Sequence, residues 1–207
     1  CRIVFVGDVH QLPSIDYGQI LNDLIMSEQF PVTRLTKTFR FGDDIGGLAR
    51  IVLSGDTPNV SDDPNNTTTF IECADDAMIS DTIINLIEQV TDAQVLTPVK
   101  DGLAGALELN SRIAELLNPG VLRTNILNIG VGDRVANTKN DYEHGLVNGS
   151  IGIVKLIDNG DISIEYDVGV VTLPLTAANV SMAYALTVHK AQGQEYDTVI
   201  IALSHSK

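Results

Sequence analysis

Tyr184-Ala185-Leu186-Thr187-Val188-His189-Lys190-Ala191-Gln192-Gly193-Gln194-Glu195-Tyr196-Asp197 runs directly into Thr198-Val199-Ile200-Ile201-Ala202-Leu203. The second run is apolar and β-branched, the pattern of a strand covered on both faces. The first reads, over residues 183–192, as a strand passing into a helix. A strand, a polar segment and a buried strand in this order point to an α/β layer with a parallel sheet. Thr187, His189, Lys190 and Gln192 crowd the polar segment. Hydroxyl, imidazole and ammonium groups at a helix start can hold backbone phosphates. Taken singly, each of these residues is ordinary.

The same alternation extends towards the start of the chain. Residues 2–6 form a continuous β-branched run that Gly7-Asp8 ends, at the edge where open α/β sheets hold ligands. Ile20, Leu21, Leu24 and Ile25 follow helical spacing, and Pro31 terminates that stretch. Val32-Thr33-Arg34-Leu35 and Thr69-Phe70-Ile71 are strand candidates. Ile45, Leu48, Ala49, Val52 and Leu53 predict a helix capped by Asp43 or Asp44 and stopped at Gly55. Residues 56–68 read as a polar loop. Ile79, Ile83, Ile84, Leu86, Ile87 and Val90 predict an amphipathic helix. Gln94-Val95-Leu96-Thr97 is a strand that stops at Pro98. Leu103, Leu107, Leu109, Ile113, Leu116 and Leu117 predict a further helix, ending before Pro119-Gly120.

Between about 126 and 180 the character changes. Short β-branched runs at 131–135, 151–154, 162–166 and 170–173 alternate with Gly, Asn and Asp, as in a small barrel. Asp158-Asn159-Gly160-Asp161 is a hairpin signal. The expected architecture is therefore an α/β layer interrupted by a β insert and then resumed.

Composition narrows the function. The chain has 207 residues, 44% of them hydrophobic, enough for one large domain or two small ones with a packed core. Net charge is −14, so any contact with nucleic acid must rest on local groups rather than on bulk attraction. Cys1 and Cys73 exclude a disulfide scaffold and a cysteine-rich zinc site. The longest apolar runs are too short to span a bilayer, and no basic-then-apolar leader is visible. There is no Gly-x-Ser-x-Gly elbow, no Cys/His nucleophile spacing and no clustering of the four histidines for zinc. No Gly-x-x-x-x-Gly-Lys-Ser/Thr phosphate loop is present, so these residues do not by themselves cradle a nucleoside triphosphate in the usual way.

Three further constellations can carry chemistry. In Gly7-Asp8-Val9-His10-Gln11-Leu12-Pro13-Ser14, Gly7 permits a tight turn, and Asp8 can order the loop or hold a metal-bound water. Gln11 offers a donor and an acceptor to a phosphate or an attacking water. The plain alternative is a strand-to-loop turn capped by Asp8. In Leu35-Thr36-Lys37-Thr38-Phe39-Arg40, Arg40 has the planar guanidinium of an arginine finger, or is simply a surface residue. Asn140-Asp141-Tyr142 and Asn148-Gly149-Ser150-Ile151-Gly152 are turn chemistry first, on an insert of the kind that binds oligonucleotides through its loops.

Together these segments resemble the second half of the motor of a superfamily 1 DNA helicase of the RecD-like, 5′-to-3′ class. Gly7-Asp8-x-x-Gln11-Leu12-Pro13-Ser14, with Gly18 and the helix from 21 to 25, resembles helicase motif III. Thr38-Phe39-Arg40 resembles motif IV. Leu96-Thr97-Pro98, with Gly102, Gly105, Leu109-Asn110 and Asn118-Pro119, resembles the next block of RecD-type proteins. Val131-Gly-Asp-Arg-Val135, Asn140-Asp-Tyr142 and Asn148-Gly-x-x-Gly152 resemble the SH3-like barrel inserted in the second motor domain. Thr187-Val-His-Lys-x-Gln-Gly-x-Glu195 resembles motif V.

The resemblance implies a RecA-like parallel sheet with helices on both faces and the barrel as an insert. Residues 1–30 would be the trailing edge of the first motor domain and 31–125 the first part of the second. Residues 126–180 would be the barrel, and 181–207 the second domain resumed. It also implies roles. Gln11 and Arg40 would be catalytic at the γ-phosphate. Gly7, Asp8, Gly193 and Glu195 would join them around ATP. Thr97, Pro98, Asn148, Thr187, His189, Lys190 and Gln192 would hold single-stranded DNA. Magnesium would be used, with its ligands outside this chain and no metal ligand within it.

The phosphate loop, the Asp-Glu motif and the last arginine motif of the family are expected outside these residues. The 207 residues alone are therefore expected neither to hydrolyse ATP nor to unwind DNA. The implied setting is cytoplasmic DNA recombination and repair, with single-stranded DNA and other subunits of a recombination nuclease as partners and no membrane. A non-catalytic nucleic-acid-binding scaffold and the motor of a conjugative relaxase-helicase are the alternative readings.

Overall fold

The structure, a computed structural model, describes residues 3–12, 18–35, 43–58 and 68–204. The chain divides into two compact units, residues 1–72 and 73–207.

The described residues of the first unit include the helices α1 (Ile20–Met26) and α2 (Asp43–Leu53). Both lie where the apolar spacing puts them. Gly55, at φ +82°, takes the left-handed position after α2, with its amide donating to the Val52 carbonyl at 3.1 Å. The strands expected at 2–6, 32–35 and 69–71 do not form among the described residues. A strand exists only through a ladder partner. The described residues of this unit supply none, and Val6 and Leu35 are left 92% and 95% exposed.

The second unit is built on a parallel sheet. α3 (Asp76–Gln89) starts at Asp75, whose carboxylate accepts the Met78 amide at 2.8 Å. It leads into β1 (Gln94–Thr97), then α4 (Ala106–Leu117). After the insert come β7 (Ala185–Thr187) and β8 (Val199–Ile201). The sheet order is β7-β1-β8, all parallel. Successive strand residues face opposite sides. Val95 and Ala185 pack with Ile83, Ile87, Leu109 and Ile113 of α3 and α4, whereas Leu96 and Leu186 pack with Ala136, Ile151, Ala191 and Tyr196. Among the described residues of this unit, then, α3 and α4 cover one face, and the insert together with Ala191 and Tyr196 of the segment after β7 covers the other. Helices on both faces were expected.

The insert contributes β2 (Arg134–Asn137), β3 (Ile151–Asp158), β4 (Asp161–Tyr166), β5 (Gly169–Pro174) and β6 (Val180–Met182). They form one antiparallel sheet in the order β5-β4-β3-β2-β6. Asn159 and Gly160 turn β3 into β4 with φ +50° and +90°, the two positive angles of a type I′ hairpin. Val135, Val154, Ile162 and Ile164 form its core with Ile129 and Leu146. No helix among the described residues is long and apolar enough to cross a membrane.

Candidate nucleic-acid interface

β1 and β7 run side by side in parallel, with Thr97 opposite Thr187. Their C-terminal ends therefore open at one edge of the sheet. The Val188 amide donates to the Thr97 carbonyl at 3.0 Å and holds the two exits together. Thr97 itself is fully buried, and its hydroxyl donates to the Ala104 carbonyl at 2.8 Å. The side chain is thus used to fold residues 97–105 back on the strand end, which leaves Pro98 exposed beside it. Gly105 sits so close to this loop that a Cβ there would lie 2.4 Å from the Asp101 carbonyl oxygen.

Beyond β7 the chain makes consecutive turns rather than the expected helix. The Thr187 carbonyl accepts the Lys190 and Ala191 amides at 2.9 and 3.1 Å, and Ala191 accepts from Gln194 at 3.1 Å. Gly193 then takes φ +85°, which ends any helical continuation. Ala191 alone anchors the segment in the core. Thr187 is half-buried, while His189, Lys190, Gln192, Gly193 and Glu195 are exposed.

A loop of the insert reaches this segment. Gln194 Nε2 donates to the Gly149 carbonyl at 2.9 Å, and the Tyr196 hydroxyl donates to Gln194 Oε1. Gly149 has φ +93°, and a Cβ on it would lie 2.4 Å from Gln194 Nε2. Asn148, exposed on the neighbouring position, is fixed by its amide donating to Asn140 Oδ1 at 2.8 Å. The fold therefore brings Pro98, Asn148, Thr187, His189, Lys190 and Gln192 into one unit, on segments tied together by backbone and amide hydrogen bonds.

Two buried polar residues that the motif reading leaves without a role hold this arrangement. Asn110 of α4 donates to the Ala185 carbonyl at 2.7 Å and accepts the Ala185 amide at 3.0 Å, pairing the outer edge of β7. Asp133 is fully buried and accepts from Arg123 Nε at 3.2 Å, Asn118 Nδ2 at 3.0 Å, the Gly130 amide at 2.8 Å and the Tyr184 hydroxyl at 3.3 Å. Burial pushes the Tyr184 phenol above its ordinary range and, at the neighbouring Arg134, lowers the guanidinium. Asp133 lies between Gly132 and Arg134 just before β2, and nothing in the sequence pattern marks it as buried or marks Asn110 as an edge cap.

In the first unit the Asp8 carboxylate accepts the His10 amide at 2.9 Å, the loop-ordering alternative for this residue. Gln11 is exposed. Gly7 packs against α1, where an added Cβ would lie 2.8 Å from Leu21 Cδ2. Arg40 lies outside the described residues, as do Pro13, Ser14 and the rest of residues 36–40. Gly193 and Glu195 belong to the second unit. Among the described residues no group of three His, Cys, Asp or Glu side chains could hold a metal ion.

Residues 1–75 match the family described as AAA domain, and residues 182–206 match the UvrD-like helicase C-terminal domain. Over 206 residues, 96% of its length, the chain is 34% identical to the ATP-dependent RecD2 DNA helicase of Deinococcus radiodurans. It is 27% identical over 223 residues to the RecBCD enzyme subunit RecD of Mycolicibacterium smegmatis, covering 98% of this chain. The chain spans 28% and 40% of the lengths of these two relatives. A crystal structure of Pif1 helicase from Bacteroides, in complex with ADP-AlF3 and ssDNA, superposes on 97% of this chain and 56% of its own with a TM-score of 0.59 and 19% identity. That likeness establishes the fold.

Proposed function

We propose, from the membership of this chain in the RecD-like superfamily 1 helicases, that it is the second half of the motor of an ATP-dependent DNA helicase. The whole protein would translocate on single-stranded DNA, 5′ to 3′, in cytoplasmic recombination and repair, with other subunits of a recombination nuclease as its partners. The observation that carries this reading is the shared edge of β1 and β7. Parallel pairing sets Thr97 opposite Thr187, Pro98 follows at the strand end, and the exposed His189, Lys190 and Gln192 follow on turns anchored by Ala191.

On this reading the edge grips the DNA backbone. Lys190 offers a charge and His189 a ring N–H to phosphates, Asn148 and Gln192 offer amides, and Pro98 offers an apolar contact to a sugar or base. Thr97 is a positioning residue, because its hydroxyl is committed to Ala104. A few such contacts suffice for a chain of net charge −14. The boundaries 1–30, 31–125, 126–180 and 181–207 stand as the proposed division into first motor domain, second domain, SH3-like insert and second domain resumed.

ATP with magnesium would supply the free energy for movement. On this reading the residues of this chain would supply only the outer part of the nucleotide site. Gln11 is exposed, with a donor and an acceptor to offer a phosphate; Asp8 is already bonded to the His10 amide and orders that loop. Gly193 leaves room for close approach, and Arg40 and Glu195 complete the proposed set. The phosphate cradle and the metal ligands would come from the rest of the whole protein, so the 207 residues alone are inactive on this reading.

The test is ATP hydrolysis by the whole protein, with and without single-stranded DNA, beside its Arg40→Ala variant. The expected outcome is strong stimulation by DNA and a loss of about 10³-fold or more in the variant. DNA binding without turnover in the parent would favour the non-catalytic scaffold instead.

A further inference from the structure

Tyr142 is 82% exposed, while the other described tyrosines, Tyr166, Tyr184 and Tyr196, are buried or half-buried. An aromatic ring left in water on a mobile loop would call for no explanation. This loop is pinned. Asp141 and Leu146 exchange both backbone hydrogen bonds at 2.8 Å, and Leu146 is buried in the insert core. Asp141 also accepts the His144 amide at 3.2 Å and lies 2.8 Å from His144 Nδ1.

The ring is aimed as well as exposed. Asn140 Nδ2 donates to the Tyr142 hydroxyl at 2.9 Å, and the same side chain accepts the Asn148 amide through Oδ1 at 2.8 Å. The next residue, Gly149, accepts from Gln194, two positions beyond Gln192. One chain of hydrogen bonds therefore fixes the phenol ring, the Asn148 loop and the segment bearing His189 and Lys190.

We propose that Tyr142 is a stacking platform for an unpaired base of single-stranded nucleic acid, positioned by Asn140. The proposal rests on the helicase reading and deepens it by adding a base-contacting site to a backbone grip. Bases stack on aromatic rings without sequence preference, which suits a surface that must accept any strand. Its continuity with the proposed phosphate contacts is what selects nucleic acid as the occupant.

The test uses the whole protein and an oligonucleotide carrying 2-aminopurine, read by fluorescence quenching and by titration at several salt concentrations. Tyr142→Leu is expected to weaken binding about tenfold and to abolish quenching at one nucleotide position, with the slope of log affinity against log salt unchanged, because no charge is removed. Tyr142→Phe is expected to keep quenching, and Asn140→Ala to weaken it partly. The ring is exposed, so the thermal midpoint of Tyr142→Leu should match the parent. Parental binding and quenching in Tyr142→Leu, with binding weakened in Lys190→Ala, would overturn this inference and leave the helicase reading standing. Equal losses in Tyr142→Phe and Tyr142→Leu would overturn it in favour of a hydroxyl contact. No binding of single strands by the parent would overturn both.

Discussion

Asn110 and Ala185 are hydrogen-bonded twice, side chain to backbone: Nδ2 to the Ala185 carbonyl at 2.7 Å, and the Ala185 amide to Oδ1 at 3.0 Å. Among the described residues β7 lies at the edge of its sheet, so these two backbone groups have no strand there to pair with. A helix side chain takes the place of the missing strand. Asn110→Leu is expected to destabilise the second unit by about 1–3 kcal/mol, the cost of buried backbone groups left without partners. Hydrogen exchange at the Ala185 amide should accelerate in the same variant. Asn110→Asp should be worse, because a carboxylate would face the Ala106 and Ala185 carbonyls that now accept from Nδ2.

Gly149 and Gln194 should be energetically coupled. Gly149→Ala places a Cβ against Gln194 Nε2 and a side chain at φ +93°. A loss of roughly 1–3 kcal/mol is expected from backbone strain and the broken bond. In Gln194→Ala the obstructing amide is gone, so the double variant should lose less than the sum of the single ones. A double-mutant cycle in urea unfolding measures this; strict additivity would show that the two segments do not bear on each other.

Asp133 joins α4, the loop after it, β2 and the residue preceding β7. Asp133→Ala is expected to cost about 1–3 kcal/mol, since it takes the acceptor from the Gly130 amide, the Tyr184 hydroxyl and Arg123 Nε, although Arg123 keeps Glu115 at 3.5 Å. Asp133→Asn keeps the shape and one acceptor, so its loss should be smaller. Urea midpoints of the three proteins decide the order.

Alkaline conditions should destabilise the insert through Tyr166. Burial, aided by the Asp141 charge, pushes its phenol up to about 12, and its hydroxyl is buried without a partner. The folded pKa therefore lies above the unfolded value near 10. Stability from this group is fully present below the unfolded value and is lost as pH rises through about 10 to 12. Tyr166→Phe should flatten the fall in unfolding midpoint between pH 9 and 11 and leave the midpoint at pH 7 equal or higher. An unchanged pH profile would assign the alkaline loss to other groups.

Lys190 is expected to contact phosphate. Lys190→Ala should weaken binding of single strands whatever their sequence and reduce the salt slope by about 0.7. Titrations of the whole protein at three or more salt concentrations provide the comparison, and an unchanged slope would place Lys190 off the DNA path.

The parts of this protein set by local periodicity were readable from the sequence. α1, α2, α3 and α4 follow their apolar spacing, β1 and β8 follow their β-branched runs, and Asn159-Gly160 turns the hairpin where two positive φ angles were called for. Period and turn chemistry are properties of a few consecutive residues, and the motif blocks are local in the same way. What needed tertiary structure was everything that depends on a partner distant in sequence. Residues 3–6, 32–35 and 69–71 have strand-like composition and form no strand among the described residues, because composition does not supply a ladder partner. Thr97 stood out by its motif, yet its hydroxyl is turned inward to Ala104. Residues 188–194 turn instead of forming a helix, because only Ala191 is buried and Gly193 breaks the winding. Asn110 closing the edge of β7, Asp133 gathering four donors and Gln194 reaching Gly149 each join residues between 3 and 75 positions apart. Spacing along the sequence does not specify such pairings; the folded chain decides them, by burying each of these polar side chains beside the backbone or side-chain groups that it bonds.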